Sequence, residues 1–421
     1  MHINTLELNN FRNFENQTFY FPTNFTVIIG ENGKGKSTIL QGLRVAAATF
    51  LLGIDEADRY HIQKEDIRRI DLGNRFVPQK ECEFVAEGVV NDKHIRWKRT
   101  IAKPGGRTDS KYATQIIDLA LELNNNLNEQ YLDKVDLPII NYFSTARLWV
   151  ESKQTIKLKK KGSRLNDGYA RCVDDRADKK SPMEWIKSAY LKKLKDKPES
   201  VLFDAVLEAI DISIPNWTPT EWDEDSDDLG GIFKIDNESE SFVPLFYLSD
   251  GLRTMAAMVA EIAYRCVVLN PHHGRDAVKK SKGIVLIDEI DMHLHPRWQQ
   301  NVISDLKKAF PNIQFIVTTH SPFIVQSLKS NELINLDRWT DTDPDKLNVN
   351  EVSTNIMGLE GEYGLVNQNM EKASDKYLNI LESGEIKQED LLELESSISD
   401  PGVRAFLQLQ KLKKLGENET N

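Results

Sequence analysis

The sequence predicts an α/β fold built around a parallel sheet, and three stretches predict it. Each is a short apolar, β-branched run that stops at chemically distinctive residues. Phe25-Thr-Val-Ile-Ile29 runs into a glycine-rich turn, Gly283-Ile-Val-Leu-Ile287 into two carboxylates, and Phe315-Ile-Val-Thr-Thr319 into a histidine. Runs of this length read as strands buried on both faces. Helical patterns between them make the strands parallel neighbours.

The first turn is GENGKGKST, residues 30 to 38. After it, Ile39, Leu40, Leu43, Ala46, Ala47 and Phe50 recur at helical spacing. The stretch therefore joins a strand to a helix and fits G-x-x-x-x-G-K-[ST], with Gly30, Gly35, Lys36 and Ser37 at the fixed places. Glycines let backbone N–H groups converge on phosphate oxygens, and the helix adds its positive end. Asn32, Gly33, Lys34, Gly35, Lys36, Ser37 and Thr38 form the expected nucleotide-binding set. Lys36 reaches the β- and γ-phosphates and the Ser37 hydroxyl holds Mg²⁺. The competing reading is an ordinary glycine-rich turn.

The second strand end carries Asp288 and Glu289. Asp288 is expected to orient the Mg²⁺ shell with Ser37, and Glu289 to act as general base on the attacking water. The third ends at His320. One helix, from Pro296 to about Phe310, and a turn at Pro311-Asn312 fit between the two. A β-α-β step of this kind sets His320 beside Glu289 at the same sheet edge, where it senses the γ-phosphate and holds the water. A structural histidine is the alternative.

The fourth element is Leu248-Ser-Asp-Gly251, which opens a helix with Val259, Ile262, Ala263, Cys266 and Val267 on one face. Ser249 reads as its N-cap, and Asp250 favours the first turn. Taken alone, this is a plain capped helix.

In this order the four elements resemble an ABC-type ATPase head. The resemblance implies a P-loop NTPase fold with an antiparallel β lobe and a helical lobe inserted between Walker A and signature. LSDG stands where that family has LSGGQ, departing at Asp250 and Leu252. It implies that Ser249 and Gly251 contact the γ-phosphate held by a second protomer, so that two ATP molecules are sandwiched in a two-fold homodimer, with higher oligomers open. Met292-His-Leu-His-Pro296 then falls in the D-loop. A zinc reading of His293 and His295 lacks a third ligand at set spacing.

The opening LELNNFRNFENQTFYF looks like the first hairpin of RecF/SMC-like heads, and Arg12 there is expected to approach the phosphates. An SMC coiled coil needs long heptad runs between Ser37 and Leu248, and none is present. That stretch instead shows strands at Glu81 to Val90, His94 to Thr100 and Leu137 to Phe143, and helices near Pro182 to Lys195 and Val201 to Ile210. DEIDMHLHPRWQQ and TTHSPF are similar to OLD-like ATPases. HIQKEDIRR, YFSTARLW, SRLNDGYARCVDD, LSDGLRTM and DPGVRAFLQLQKLKK most resemble the ATPase subunit of Septu-type and retron-associated antiphage systems. There the ATPase works with a separate HNH-type nuclease, so regulation of such a partner is the expected function. The rival expectations are a RecF-like DNA-binding repair factor and, less well matched, a transporter ATPase. The family's glutamine loop falls on Gln63 or Asp66.

The rest of the chain bounds these expectations. With 54 basic and 65 acidic residues the net charge is -11, which argues against a wholesale nucleic-acid coat but permits a local basic groove. Cys82, Cys172 and Cys266 form no metal-spaced pair, and a reduced, cytoplasmic protein is expected. The first residues are too polar for a signal peptide, and no apolar run approaches the ~18 residues of a membrane span. The stretch after His320 is short for a Toprim nuclease domain, and its Asp341-Thr-Asp343 reads as a solvated turn. The basic run Lys153 to Arg164 either tracks a DNA or RNA backbone or is a solvated loop. Glu221 to Asp228 reads as an acidic surface loop. In the tail from Gln388 to Leu415, Val403, Phe406, Leu407, Leu409, Leu412 and Leu415 need a surface to bury against. The expected domains are a Walker A lobe (1–150), an insert lobe (151–245), a lobe with signature, Walker B and His320 (246–345), and a helical tail for dimer or partner contacts (346–421).

Overall fold

The computed structural model describes residues 1–55, 57–73, 75–128, 134–148, 164–175, 180–195, 200–234, 239–337 and 342–358, with single positions and short pieces between 373 and 411. Along the chain, β1 (His2–Phe11) and β2 (Phe14–Tyr20) make a hairpin, and β3 (Phe25–Ile29) leads through the glycine-rich turn into α1 (Lys36–Ala47). Two hairpins follow, β4 (Arg69–Asp71) with β5 (Phe76–Pro78) and β6 (Cys82–Val90) with β7 (Lys93–Ile101). Then come α2 (Thr114–Asn128), β8 (Ile139–Phe143), α3 (Arg164–Tyr169), α4 (Lys180–Lys193) and α5 (Ser200–Ser213). A meander of β9 (Trp217–Asp223), β10 (Asp228–Lys234) and β11 (Glu240–Pro244) precedes α6 (Asp250–Leu269) and α7 (Ala277–Lys280). The last elements are β12 (Gly283–Ile287), α8 (Pro296–Gln299), α9 (Val302–Ala309), β13 (Ile313–Thr318), α10 (Pro322–Val325) and β14 (Leu333–Asn335).

The three apolar runs meet in one parallel sheet of order β14-β3-β13-β12-β8. Every residue of β3, β8, β12 and β13 is buried, as strands covered on both faces require. The register is what positions the site. Ile287 pairs with both Val317 and Phe143, and Ile28 pairs with Thr318, so all four carboxyl ends stop level. The antiparallel lobe is the sheet β2-β1-β6-β7. Gln314 of β13 stitches it to the parallel sheet. Its amide accepts from Ile3 N and donates to Ile3 O, both at 2.8 Å, in a fully buried setting.

Several expectations change. The single helix from Pro296 to Phe310 is two, α8 and α9, broken at Gln300 and Asn301, where Asn301 N turns back to Trp298 O. Phe50 leaves the α1 periodicity and sits buried in a 3₁₀ turn. The acidic run Glu221 to Asp228 is not a loop: it ends β9, turns, and begins β10. Trp217 and Trp222, buried on β9, anchor that hairpin, so local charge gave way to packing. On α6 the apolar face is interrupted by Glu261 and Arg265, a buried pair at 2.8 Å. Arg265 also donates to Gly168 O and Glu261 accepts from Asn141, which ties α6 to α3 and β8.

The chain divides into two compact units, Met1–Asp345 and Lys346–Asn421. Within the second, Ala373, Tyr377, Leu391 and Leu407 form a buried cluster. Leu407 thus finds cover, while the other apolar tail positions named above lie outside the described residues. So does the basic run from 153 to 163, and so does Asp341. Asp343 accepts from Ser330 N in a turn. Among the described residues no helix is long and apolar enough to cross a membrane.

Replacing Gln314 by Leu keeps the volume but strands two buried backbone groups of Ile3. The expected loss is on the order of 3 kcal/mol, read as a lowered denaturation midpoint, with Gln314→Glu recovering little of it.

Candidate nucleotide-binding site

The glycine-rich turn leaves β3 in a conformation that needs its glycines. Gly33 and Gly35 have φ of 86° and 106°. A Cβ on Gly35 would also lie 2.5 Å from the Phe14 ring. Gly35 is the N-cap of α1 and brings no capping side chain, so the first-turn amides have no helical partners. Ser37 and Asn32 to Lys34 are exposed, whereas Gly35, Lys36 and Thr38 are buried. The Lys36 ammonium folds onto the loop's own carbonyls, Gly30 O at 2.6 Å and Glu31 O at 3.0 Å. Burial lowers its pKa, while the nearby carboxylates of Asp337, Asp288 and Glu289 act to raise it. Free amides around a lysine at a helix start make an anion cradle that fits a polyphosphate.

Asp288, at the end of β12, joins three strand ends. Its amide donates to Phe143 O of β8 at 2.8 Å. Its Oδ1 accepts from Thr318 Oγ1 at 2.6 Å and from Ser37 Oγ at 3.3 Å. A hydroxyl and a carboxylate so close are hard oxygen donors that fit Mg²⁺. Thr318 works twice, because its Oγ1 also accepts from Glu289 N at 2.8 Å. That bond helps hold Glu289 at φ 51°, half-buried, with its backbone turned out of the strand path. Thr319 donates to Asp291 Oδ1 at 2.6 Å and fixes the next turn. His320 follows directly and is exposed at the same sheet edge.

The LSDG turn lies on the surface before α6. Ser249 occupies the N-cap position, but its side chain makes no capping bond, contrary to the expectation of a plain cap. Its residue is exposed. Asp250 pairs with Arg253 at 2.6 Å. Gly251 is buried, and a Cβ there would meet His293 O at 2.2 Å. The glycine therefore serves close packing between this turn and the segment after Glu289. His293 has φ 62°, and His295 Nδ1 accepts from Arg297 N at 3.3 Å, so the two histidines serve the turn and a helix start.

The first hairpin touches the glycine-rich turn through the neighbours of Arg12. Asn13 Nδ2 donates to Gly33 O at 2.6 Å, and Phe14 fills the space under Gly35. Arg12 itself pairs with Asp66 at 2.8 Å. Asp66 is fully buried and also accepts from Gln63 N, so its carboxylate is spent inside the protomer. Gln63 is exposed, with its amide donating to His61 O. Asn13, Phe14 and Thr318 escaped the sequence reading because their contacts cross the fold. So did Asp337, beyond β14. Its Oδ2 accepts from Glu31 N at 2.7 Å, and Lys34 Nζ lies 3.6 Å from its Oδ1. Arg44 on α1 is held the same way, stacked 4.0 Å over Tyr60 and 4.4 Å over Tyr142 and bonded to Asp175 at 2.7 Å. Burial raises both tyrosine pKa values, so the rings stay neutral beneath the guanidinium.

Comparison with known proteins bears on this geometry. Residues 25–326 match the family model described as "AAA domain, putative AbiEii toxin, Type IV TA system". "Retron Vc95 probable ATPase" of Vibrio cholerae is 48% identical over 99 residues, covering 24% of this chain and 18% of that protein. "Retron Ec83 probable ATPase" of Escherichia coli is 26% identical over 396 residues, covering 78% and 70%. "Septu protein PtuA" of Bacillus mycoides is 27% identical over 340 residues, covering 79% and 40%. The chain thus spans less than half the length of two of these three relatives.

Thr318→Val removes one donor and one acceptor without changing shape. If the site hydrolyses Mg²⁺-ATP, turnover is expected to fall about 10- to 100-fold with nucleotide affinity kept, which steady-state kinetics beside equilibrium binding will show.

Proposed function

The chain belongs to this AAA-domain family, and we propose that it is an ATP-binding and ATP-hydrolysing head that regulates a separate nuclease in antiphage defence. The observation that carries the ATPase reading is Asp288 Oδ1, shared by Ser37 and Thr318 beside a lysine-centred anion cradle. The regulatory part rests on the similarity to proteins named as retron ATPases and Septu PtuA.

In this reading the amides of Gly33 to Thr38 and Lys36 hold the phosphates. Ser37 and Asp288 would hold Mg²⁺, which would supply neutralisation of phosphate charge. Glu289 takes the proton of the attacking water, and His320 orients that water. Arg12 is held on Asp66, and in this reading it lies on the hairpin that faces the phosphates, whose Asn13 bonds the glycine-rich turn.

Closure takes a second copy. Ser249 is exposed with its hydroxyl outside any cap, which suits a γ-phosphate bound by the partner. Gly251 beneath His293 O couples that turn to the segment after Glu289. Nucleotide state at one site is thereby linked to the dimer face, and a nuclease docked on the dimer feels whether it is open or closed.

Glu289→Gln is expected to lower hydrolysis at least about 100-fold while keeping ATP and holding a dimer, seen by nucleotide retention and light scattering. Normal turnover would overturn the assignment of the base. Lys36→Ala is expected to lose nucleotide binding. A pull-down of the Glu289→Gln protein from cells carrying its native locus should recover a nuclease. Recovery of the chain alone, or of DNA-repair proteins, would move the reading to a RecF-like repair factor.

A further inference from the structure

One cluster of metal-ligating side chains lies away from the nucleotide site. It sits at the opposite, amino edge of the parallel sheet, where Gly283 pairs with Ile139. The corner after α6 is a 3₁₀ turn, Pro271–Asp276, carrying His272 and His273 side by side. Gly274, at φ 55° and ψ -128°, closes the corner in a backbone region open to glycine. Asn270 fastens it to the start of β8, accepting from Leu137 N at 2.8 Å and donating to Leu137 O at 3.1 Å and Ser281 Oγ at 2.9 Å. This anchorage delivers Asp136, one residue before Leu137, to the two histidines.

Both imidazoles aim Nε2 at the same atom. His272 Nε2 and His273 Nε2 each lie 2.7 Å from Asp136 Oδ1. The ring centroids are 4.1 Å apart. The three ligand atoms fall within 4.8 Å of one another. A metal ion needs imidazole lone pairs, and both Nε2 atoms already converge on one carboxylate oxygen. His272 Nδ1 is buried and has no hydrogen-bond partner among the described residues.

We propose that Asp136, His272 and His273 bind one Zn²⁺. Two imidazole nitrogens and a carboxylate oxygen are a borderline set that suits zinc, with water in the fourth place. Bonds of ~2.0 Å in a tetrahedron separate ligand atoms by roughly 3.3 Å. The Asp136 oxygen must then withdraw by roughly 0.6 Å to admit the ion. Its side chain is 55% exposed and has room to do so. The ion ties the lead-in of the edge strand β8 to the end of α6, a structural staple on the face remote from ATP. Thiolates take no part, since Cys82, Cys172 and Cys266 are buried and their pKa values are pushed up to about 12.

The test uses full-length, tag-free protein stripped with chelator and reloaded with zinc chloride in excess Mg²⁺. About one zinc per chain should survive desalting, with a melting temperature about 3 °C higher than the stripped protein. Cobalt(II) in its place should give visible bands of nitrogen and oxygen ligation without a thiolate charge-transfer band. His273→Asn and Asp136→Asn should each weaken zinc about tenfold or more and leave ATP hydrolysis unchanged. Asp136 is exposed enough for its variant to fold if the histidine variant does not. No retained zinc, equal retention by Asp136→Asn, or a thiolate band would each overturn the proposal.

Discussion

A single carboxylate oxygen organises the candidate site. Asp288 Oδ1 accepts from Ser37 on the helix after β3 and from Thr318 at the end of β13, while the Asp288 amide is bonded to Phe143 of β8. Three strand ends and one helix start are thereby tied through one residue. The tie works only because the parallel register brings those ends level. A slip of one residue in β12 or β13 would flip every side chain to the opposite, differently packed face and carry Asp288 away from Ser37. The cost of burying the strands wrongly is what keeps the site assembled.

Around that tie the protein uses close packing more than charge. Phe14 sits where a Cβ of Gly35 would be, and His293 O sits where a Cβ of Gly251 would be. Two glycines that read as phosphate contacts are also places where another part of the fold presses against backbone. Movement of the glycine-rich turn therefore reaches the first hairpin. Movement of the segment after Glu289 reaches the exposed Ser249 turn. Packed interfaces of this kind shift as units, which gives a nucleotide site a physical means of changing a distant surface.

Two buried guanidinium groups are each held by a carboxylate. Glu261 with Arg265, and Arg44 with Asp175 under two tyrosine rings, join helices to the edge strand β8. Such pairs add little net stability, but breaking one leaves a buried charge and is expensive. They hold β8 in place on the sheet without adding apolar surface.

The sequence by itself determined β3, β8, β12 and β13 (though not the edge strand β14), the glycine-rich turn, and the order in which Lys36, Ser37, Asp288, Glu289 and His320 arrive. These are local signals, since a buried run has a period and a phosphate turn has a fixed spacing. It misjudged the acidic run at 221–228, because charge count is local and the burial of Trp217 and Trp222 is not. It drew one helix where Gln300 and Asn301 break two. It named Arg12 but not Asn13 and Phe14, which make the contact with the turn. Tertiary structure alone decided that Thr318 serves both Asp288 and Glu289, that Asp337 reaches Glu31, and that Asp136 meets two histidines. Each of these contacts joins residues far apart in the chain, and no periodicity or motif encodes a pairing that only the folded register creates.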